Sequence, residues 1–289
     1  MHRARRPRVR AAVLTVGVTV AALLAASGGS AQASTGTAAG RFSEPTDIDN
    51  RYFPMTPGDE YVYDGVVIEG GEVHPHRVVF TVTGVTKVIG TVRTVVAWDR
   101  DITDGELQEA ELAFFAQDDA GIVYNFGEYP EEFENGEFVG APSTWINGVA
   151  GAKGGIHMLA PPTVGATYVE GRVPSIEFYD VSTVTQTQAQ TCVRAGCFSH
   201  VVVVDESSPL DPASGHQIKY YAPWVGLVRV GAQGGDSQEL LTLTRVVHLS
   251  KAQQLNACAQ ALAMDRRAYD VANVYKHTPP AQGCRLTGR

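Results

Sequence analysis

The sequence has few of the features that announce an enzyme. It contains no Gly-x-Ser-x-Gly elbow, which removes the most recognisable serine hydrolases. It has no His-x-x-x-His or His-Glu-x-x-His pair and no Cys-x-x-Cys, so zinc chemistry is not indicated. The glycine-rich stretch from Asn147 to His157 superficially suggests a phosphate cradle. However, Gly154 follows Lys153 where a Ser or Thr would be needed, and no strand-then-helix frame surrounds it. Basic residues are scarce as well, with 23 Lys and Arg against 31 Asp and Glu. Five of the 23 (Arg3, Arg5, Arg6, Arg8 and Arg10) crowd a head without acids, which leaves the rest of the chain close to −13. That charge disfavours nucleic acid and anionic lipid surfaces as partners.

Long hydrophobic runs are also missing. The apolar stretch Ala11 to Ala26 falls short of the ~20 residues that cross a bilayer. With the arginines before it and Ala31-Gln32-Ala33 after it, it reads as an export leader, residues 1–33, cleaved after Ala33. No Cys follows the apolar run, so a lipid anchor is not expected. The mature chain is expected outside the cell, without a transmembrane anchor. The four cysteines all lie beyond the leader, and an even count in an exported chain reads as disulfides. Of three pairings, Cys192 with Cys197 would clip a hairpin, and Cys258 with Cys284 would tie the C-terminal tail to the last helix.

What the chain does have is β-strand grammar. Residues 34–49 are small, polar and aperiodic, a flexible lead-in, and Asn50 to Gly58 form a proline-rich ordered loop feeding a first strand at Glu60 to Ile68. Runs rich in Val, Thr, Phe, Trp and Tyr then follow between His76 and Glu128, separated by Gly90, Asp104-Gly105 and Asp119-Ala120-Gly121. Further strands are expected at Thr167 to Arg172, Ser175 to Gln186, Phe198 to Asp205, His216 to Tyr221, Val225 to Val230 and Gln238 to Val247. Several runs are apolar on both faces, as where Leu112 and Phe114 oppose Ala113 and Phe115. Such a sheet is covered on both sides or curls around a cavity. The expected fold is therefore mainly β: one strongly curved antiparallel sheet over 50–249, an open barrel or sandwich-like meander. A C-terminal helix and disulfide-tied tail fill 250–289. Ser250-Lys251-Ala252-Gln253 is a capping box for that helix, which would cover an edge or an opening. Between Trp145 and Pro162 the pattern loosens into an expected mobile loop at the cavity mouth.

Individual chemistries find weak support. His74 and His76 read as surface residues at a strand start, and Asp99, Asp101 and Asp104 as turn residues without calcium-loop spacing. Glu128, Glu131, Glu132 and Glu134 read as a solvated rim. The candidate ligand-binding residues are aromatic, with a few acids to orient a ligand: Trp98, Asp99, Phe115, Tyr124, Phe126, Glu128, Trp145, Tyr220 and Tyr221. No catalytic residue, metal ligand or cofactor is assigned.

Three segments carry a resemblance. Asn50-Arg51-Tyr52-Phe53-Pro54-Met55-Thr56-Pro57-Gly58 with Tyr61-Val62-Tyr63 is one, and Ala116-Gln117-Asp118 with Val123 to Glu128 is another. The most specific is Lys219-Tyr220-Tyr221-Ala222-Pro223-Trp224-Val225-Gly226-Leu227-Val228. Together, over about Asp47 to Val247, they resemble an uncharacterised family of secreted bacterial β-proteins. Trp224 stands where the family pattern has Gly, and Met55 where it has Leu. No activity comes with that resemblance. At fold level the chain is similar to lipoprotein-carrier-like open barrels. The expectation is a non-enzymatic exported protein holding a lipophilic or amphipathic small molecule in the concavity of its sheet. A fully packed cell-envelope interaction protein is the alternative, and a hydrolase using acids near Asp99 and Glu128 ranks last.

Overall fold

A computed structural model describes residues 40–288, and the expected leader lies outside the described residues. In chain order the elements are β1 (Asp59–Glu69), β2 (Glu72–Ile89), β3 (Val92–Thr103), β4 (Glu106–Gln117), β5 (Val123–Glu134), β6 (Glu137–Gly140), β7 (Trp145–Ile146), β8 (Lys153–Met158), β9 (Thr167–Val173), β10 (Phe178–Val193), β11 (Gly196–Ser207), β12 (His216–Ala222), β13 (Gly226–Gln233), β14 (Ser237–His248) and the helix α1 (Lys251–Val271). Twelve strands pair antiparallel in a ring: β1 to β5, then β8 to β14, with β14 returning to β1. β6 and β7 pair with β5 outside that ring. The expected curved antiparallel sheet is present, and its curl runs to full closure, which leaves the ring without a free edge.

Turn chemistry fixes the hairpins. Asp104-Gly105 and Asn135-Gly136 both hold positive φ at each residue, 54° and 83° in the first and 53° and 78° in the second. That conformation matches the strand twist and suits Asp, Asn and Gly. Ladder lengths around the ring are unequal. β1 and β14 share eleven register pairs. β5 and β8 share three, and β8 and β9 share two.

One end of the barrel is closed by the chain preceding β1. Ile48, Tyr52 and Met55 join the interior apolar core with Val82, Val202, Tyr221 and Leu243. The Asn50 side-chain oxygen accepts from the backbone N–H groups of Tyr52 and Phe53, and its amide donates to the carbonyls of Gly121 and Leu159. The described part of the lead-in lies against the barrel too. Phe42 packs edge-on against Tyr124 and Phe126, since an apolar ring among polar residues gains by finding cover.

Two expectations about access to the cavity are corrected. α1 does not cover an opening; it lies on the outer wall, where Cys258, Ala261, Met264 and Ala268 pack with Val96, Leu112, Phe114 and Tyr129. This is why β3 and β4 are apolar on both faces: one faces the barrel interior, the other the helix. The Ser250–Gln253 capping box is formed as expected. Buried Lys87 donates to Asp265 at 2.8 Å, and Arg267 pairs with Glu131 at 2.6 Å, fixing the helix to β2 and β5. The stretch from Trp145 to Pro162 contains β7 and β8 and is not a free loop. A Cβ on Gly154 would collide with the carbonyl of Asn125, and one on Gly155 with that of Val169, so these glycines admit neighbouring backbone rather than a phosphate. Both disulfides form as paired above, Cys192–Cys197 and Cys258–Cys284. No described helix is long and apolar enough to cross a membrane.

Candidate functional site: the barrel interior

Side chains at alternate strand positions point into the ring. Followed from the closed end toward the opposite end, each strand changes character in the same direction. On β3 the inward series is Val95, Ala97, Asp99, Asp101 and Thr103, and on β4 it is Phe115, Ala113, Glu111 and Glu109. β2 contributes Val82, Phe80, Val78 and His76. β11 contributes Val202, Val204 and Glu206; β12 adds Tyr221, Lys219 and Gln217. β14 contributes Leu243, Leu241 and Glu239. The result is an apolar floor below a carboxylate-lined upper chamber, surrounding a cavity of about 480 Å³. That lies within the roughly 300–1,000 Å³ typical of small-molecule sites.

The floor is aromatic. Phe53, reaching up from the segment before β1, stands 5.2 Å from Phe115 and 6.3 Å from Phe80, centroid to centroid. His157 packs on Phe53 at 4.3 Å and on Phe115 at 5.0 Å. Burial, followed by the nearby Lys219 charge, pushes the His157 imidazole down to about 4, so it stays neutral at physiological pH.

Above the floor, eleven carboxylate residues line the cavity and its mouth, against one lysine and three histidines. On one side Asp99, Asp101, Glu109 and Glu111 face inward from adjacent positions of β3 and β4. Burial pushes Asp99 up to about 6 and Glu109 to about 8; Asp101 and Glu111 are raised well above the usual carboxylate range for the same reason, and neighbouring carboxylates add to it. On the other side Lys219 donates to both oxygens of Glu206, at 2.7 and 2.6 Å. Burial raises Glu206 to about 7, with Glu170 adding to the shift, and burial raises Asp180 to about 7. Burial opposes the Lys219 charge, but Glu206 and Glu170 outweigh it and hold the ammonium above its ordinary value. Ser182 donates to Glu170.

Glu128 is held from behind. Its oxygens accept from Asn125 Nδ2 at 2.5 Å and Trp145 Nε1 at 2.9 Å, and Trp145 stacks on Phe178 at 5.9 Å. Burial raises Glu128 despite these two donors.

Of the residues named from sequence, Asp99, Phe115, Glu128 and Tyr221 line the cavity, and Trp145 stands directly behind Glu128. Trp98, Tyr124 and Phe126 pack in the outer cluster that includes α1, and Trp98 is covered by the Arg100 guanidinium at 4.0 Å. Tyr220 does not line the cavity and lies beneath Arg229 at 5.1 Å. These four occupy the opposite strand parity, or follow a bulge that changes it. Sequence reasoning passed over Glu109, Glu111, Glu170, Asp180, Glu206, Lys219 and Glu239, and it read His76 as a surface residue and Asp101 as a turn residue where both line the cavity. His76 is no surface residue: its side chain is 3% exposed.

No protein-family model and no curated protein matches the chain. Among solved structures it is similar to a Bacteroides fragilis protein inferred to be exported, with a YmcC-like fold. The TM-score is 0.40 and the identity 15%, over 68% of this chain and 99% of that one. An inferred lipoprotein of Parabacteroides distasonis gives a TM-score of 0.37 and 13% identity over the same shares, 68% and 99%. At these scores the likenesses carry no argument about function.

Proposed function

We propose that this is an exported, non-enzymatic binding protein whose barrel holds an amphipathic small molecule with a cationic head. The single observation behind the reading is the polarity gradient along the barrel axis. The Phe53–Phe80–Phe115 floor suits an alkyl or aromatic tail. The carboxylate chamber above suits an ammonium or guanidinium group. Burial and neighbouring charge hold several of the eleven acids protonated, so a cationic head would take the place of those protons, whereas an anionic head would add one more negative charge to the chamber. Tyr61, Tyr63 and Tyr221 line the same cavity as part of its aromatic core. Export fits the basic leader and the two disulfides, which persist in oxidising compartments.

The reading is tested by calorimetric titration with octylamine and decylamine, against octanoate and decanoate of matched length. The amines are expected to bind one to one, more tightly with the longer tail, and Phe115→Ala is expected to reduce that length dependence. Equal affinity for amine and carboxylate heads, or no binding by either, would remove the proposal.

A further inference from the structure

We propose that His76, Asp101 and Glu239 form a site for one divalent transition-metal ion of the zinc class, near the mouth of the barrel. They come from β2, β3 and β14, and each offers a ligand atom, all within 4.8 Å of one another. His76 Nε2 is 3.1 Å from Glu239 Oε1. With metal–nitrogen and metal–oxygen bonds of about 2.0–2.2 Å in a tetrahedral arrangement, two ligand atoms stand roughly 3.3 Å apart. The spacing therefore already suits an ion between them.

The surroundings hold the donors in position. His76 Nδ1 lies 2.8 Å from Thr103 Oγ1. A proton on Nδ1 donated to that hydroxyl leaves the Nε2 lone pair facing the two carboxylates, as metal-binding histidines require. Gln217 Nε2 donates to Glu239 Oε2 at 3.3 Å, which leaves Oε1 turned toward His76. The Asp101 side chain makes no hydrogen bond or ion pair among the described residues. Asp99, the preceding inward position of β3, and Glu109, its register partner on β4, stand beside it, so a dication would meet further oxygen donors and no competing cation on this wall. An imidazole with two carboxylates suits zinc or manganese better than the all-oxygen sites of calcium. Three protein donors leave one coordination position open to water or to a ligand.

The test is calorimetric titration of chelator-treated protein with zinc chloride, with cobalt(II) absorption as a second readout. One strong site is expected, with visible cobalt bands that disappear in His76→Ala. Asp101→Asn and Glu239→Gln keep side-chain shape and should each weaken zinc binding by about tenfold or more, and Thr103→Val by about tenfold. His74→Ala, at the rim where His74 pairs with Asp104, should leave it unchanged. Absence of zinc binding, or zinc binding that survives all three ligand substitutions in protein with native circular dichroism, overturns the proposal. The alkylamine titration reads the aromatic floor and the zinc titration reads the mouth, so either reading can fail without the other.

Discussion

Replacing Lys219 by Met removes the only lysine among the described residues that line the cavity, and its cost should depend on pH in a direction fixed by its neighbours. Lys219 holds Glu206 through two hydrogen bonds, with the side chains 16% and 11% exposed. Glu206 is raised from 4.5 to about 7 and Asp180 from 3.8 to about 7, in both cases chiefly by burial. Both folded values lie above the unfolded ones, so the native state binds more protons than the unfolded chain between the two. Stability from these groups is complete below about pH 4 and is lost as pH rises through about 7. The wild type should therefore melt at a lower temperature at pH 8 than at pH 5. Lys219 opposes both shifts. At pH 8 its removal strands a buried carboxylate, at a cost of about 3–5 kcal/mol. At pH 5 Glu206 is already neutral, and the loss is nearer one hydrogen bond, about 1–2 kcal/mol. At roughly 2–4 °C per kcal/mol for a domain of this size, the Tm loss should be about 10 °C at pH 8 and under half that at pH 5. Thermal unfolding followed by circular dichroism at the two pH values measures this, and Glu206→Gln added to Lys219→Met should recover part of the loss at pH 8. Equal losses at both pH values, or the larger loss at pH 5, would refute the electrostatic account of the chamber.

Other outcomes follow from the outer wall and the closed end. Asp265→Leu leaves Lys87 buried without its carboxylate and should cost about 3–5 kcal/mol in urea unfolding, whereas adding Lys87→Met should recover part of that loss, the rest belonging to the Tyr275 hydroxyl and Ala281 N–H that Asp265 also accepts from. Trp224 is 69% exposed with φ 63°, so Trp224→Gly should relieve left-handed strain and stabilise by up to about 1 kcal/mol, with a Tm rise as readout. Replacing Cys258 and Cys284 together by Ser frees a link spanning 26 residues and should cost about 3 kcal/mol, read as a lower urea midpoint.

Much of the scaffold was legible in the chain. The helix start at Ser250 follows from its capping box, and the run between the Asp104-Gly105 and Asp119-Ala120-Gly121 turns is β4. Trp224 is informative in retrospect: the resemblance marked its position as a glycine site, and the backbone there adopts the conformation glycine favours. The carboxylate chamber was not legible, because Asp99, Asp101, Glu109 and Glu111 alternate with apolar residues as the wet face of an ordinary strand would. Only ring closure turns that face inward, while α1 makes Val96, Leu112 and Phe114 a second dry face. A signal did exist. On β3 the inward parity changes from Val95 and Ala97 to acids with increasing number, and on β4 from acids to Ala113 and Phe115, as two antiparallel strands sharing one polarity axis must. Lys153 shows the opposite lesson, since its glycine neighbours answer to backbone crowding between β5, β8 and β9 rather than to any ligand.

The uneven stitching of the ring has a mechanical meaning. β8 is held by three register pairs on one side and two on the other; β13 also shares only two with β14 but keeps seven with β12, while β1 and β14 share eleven. Local opening favours the place with the fewest backbone bonds to break. Amide protons of β8 should therefore exchange with solvent well before those of β1. Any molecule too broad for the mouth would find its easiest sideways passage there, beside Glu128 and the Trp145 indole that steadies it.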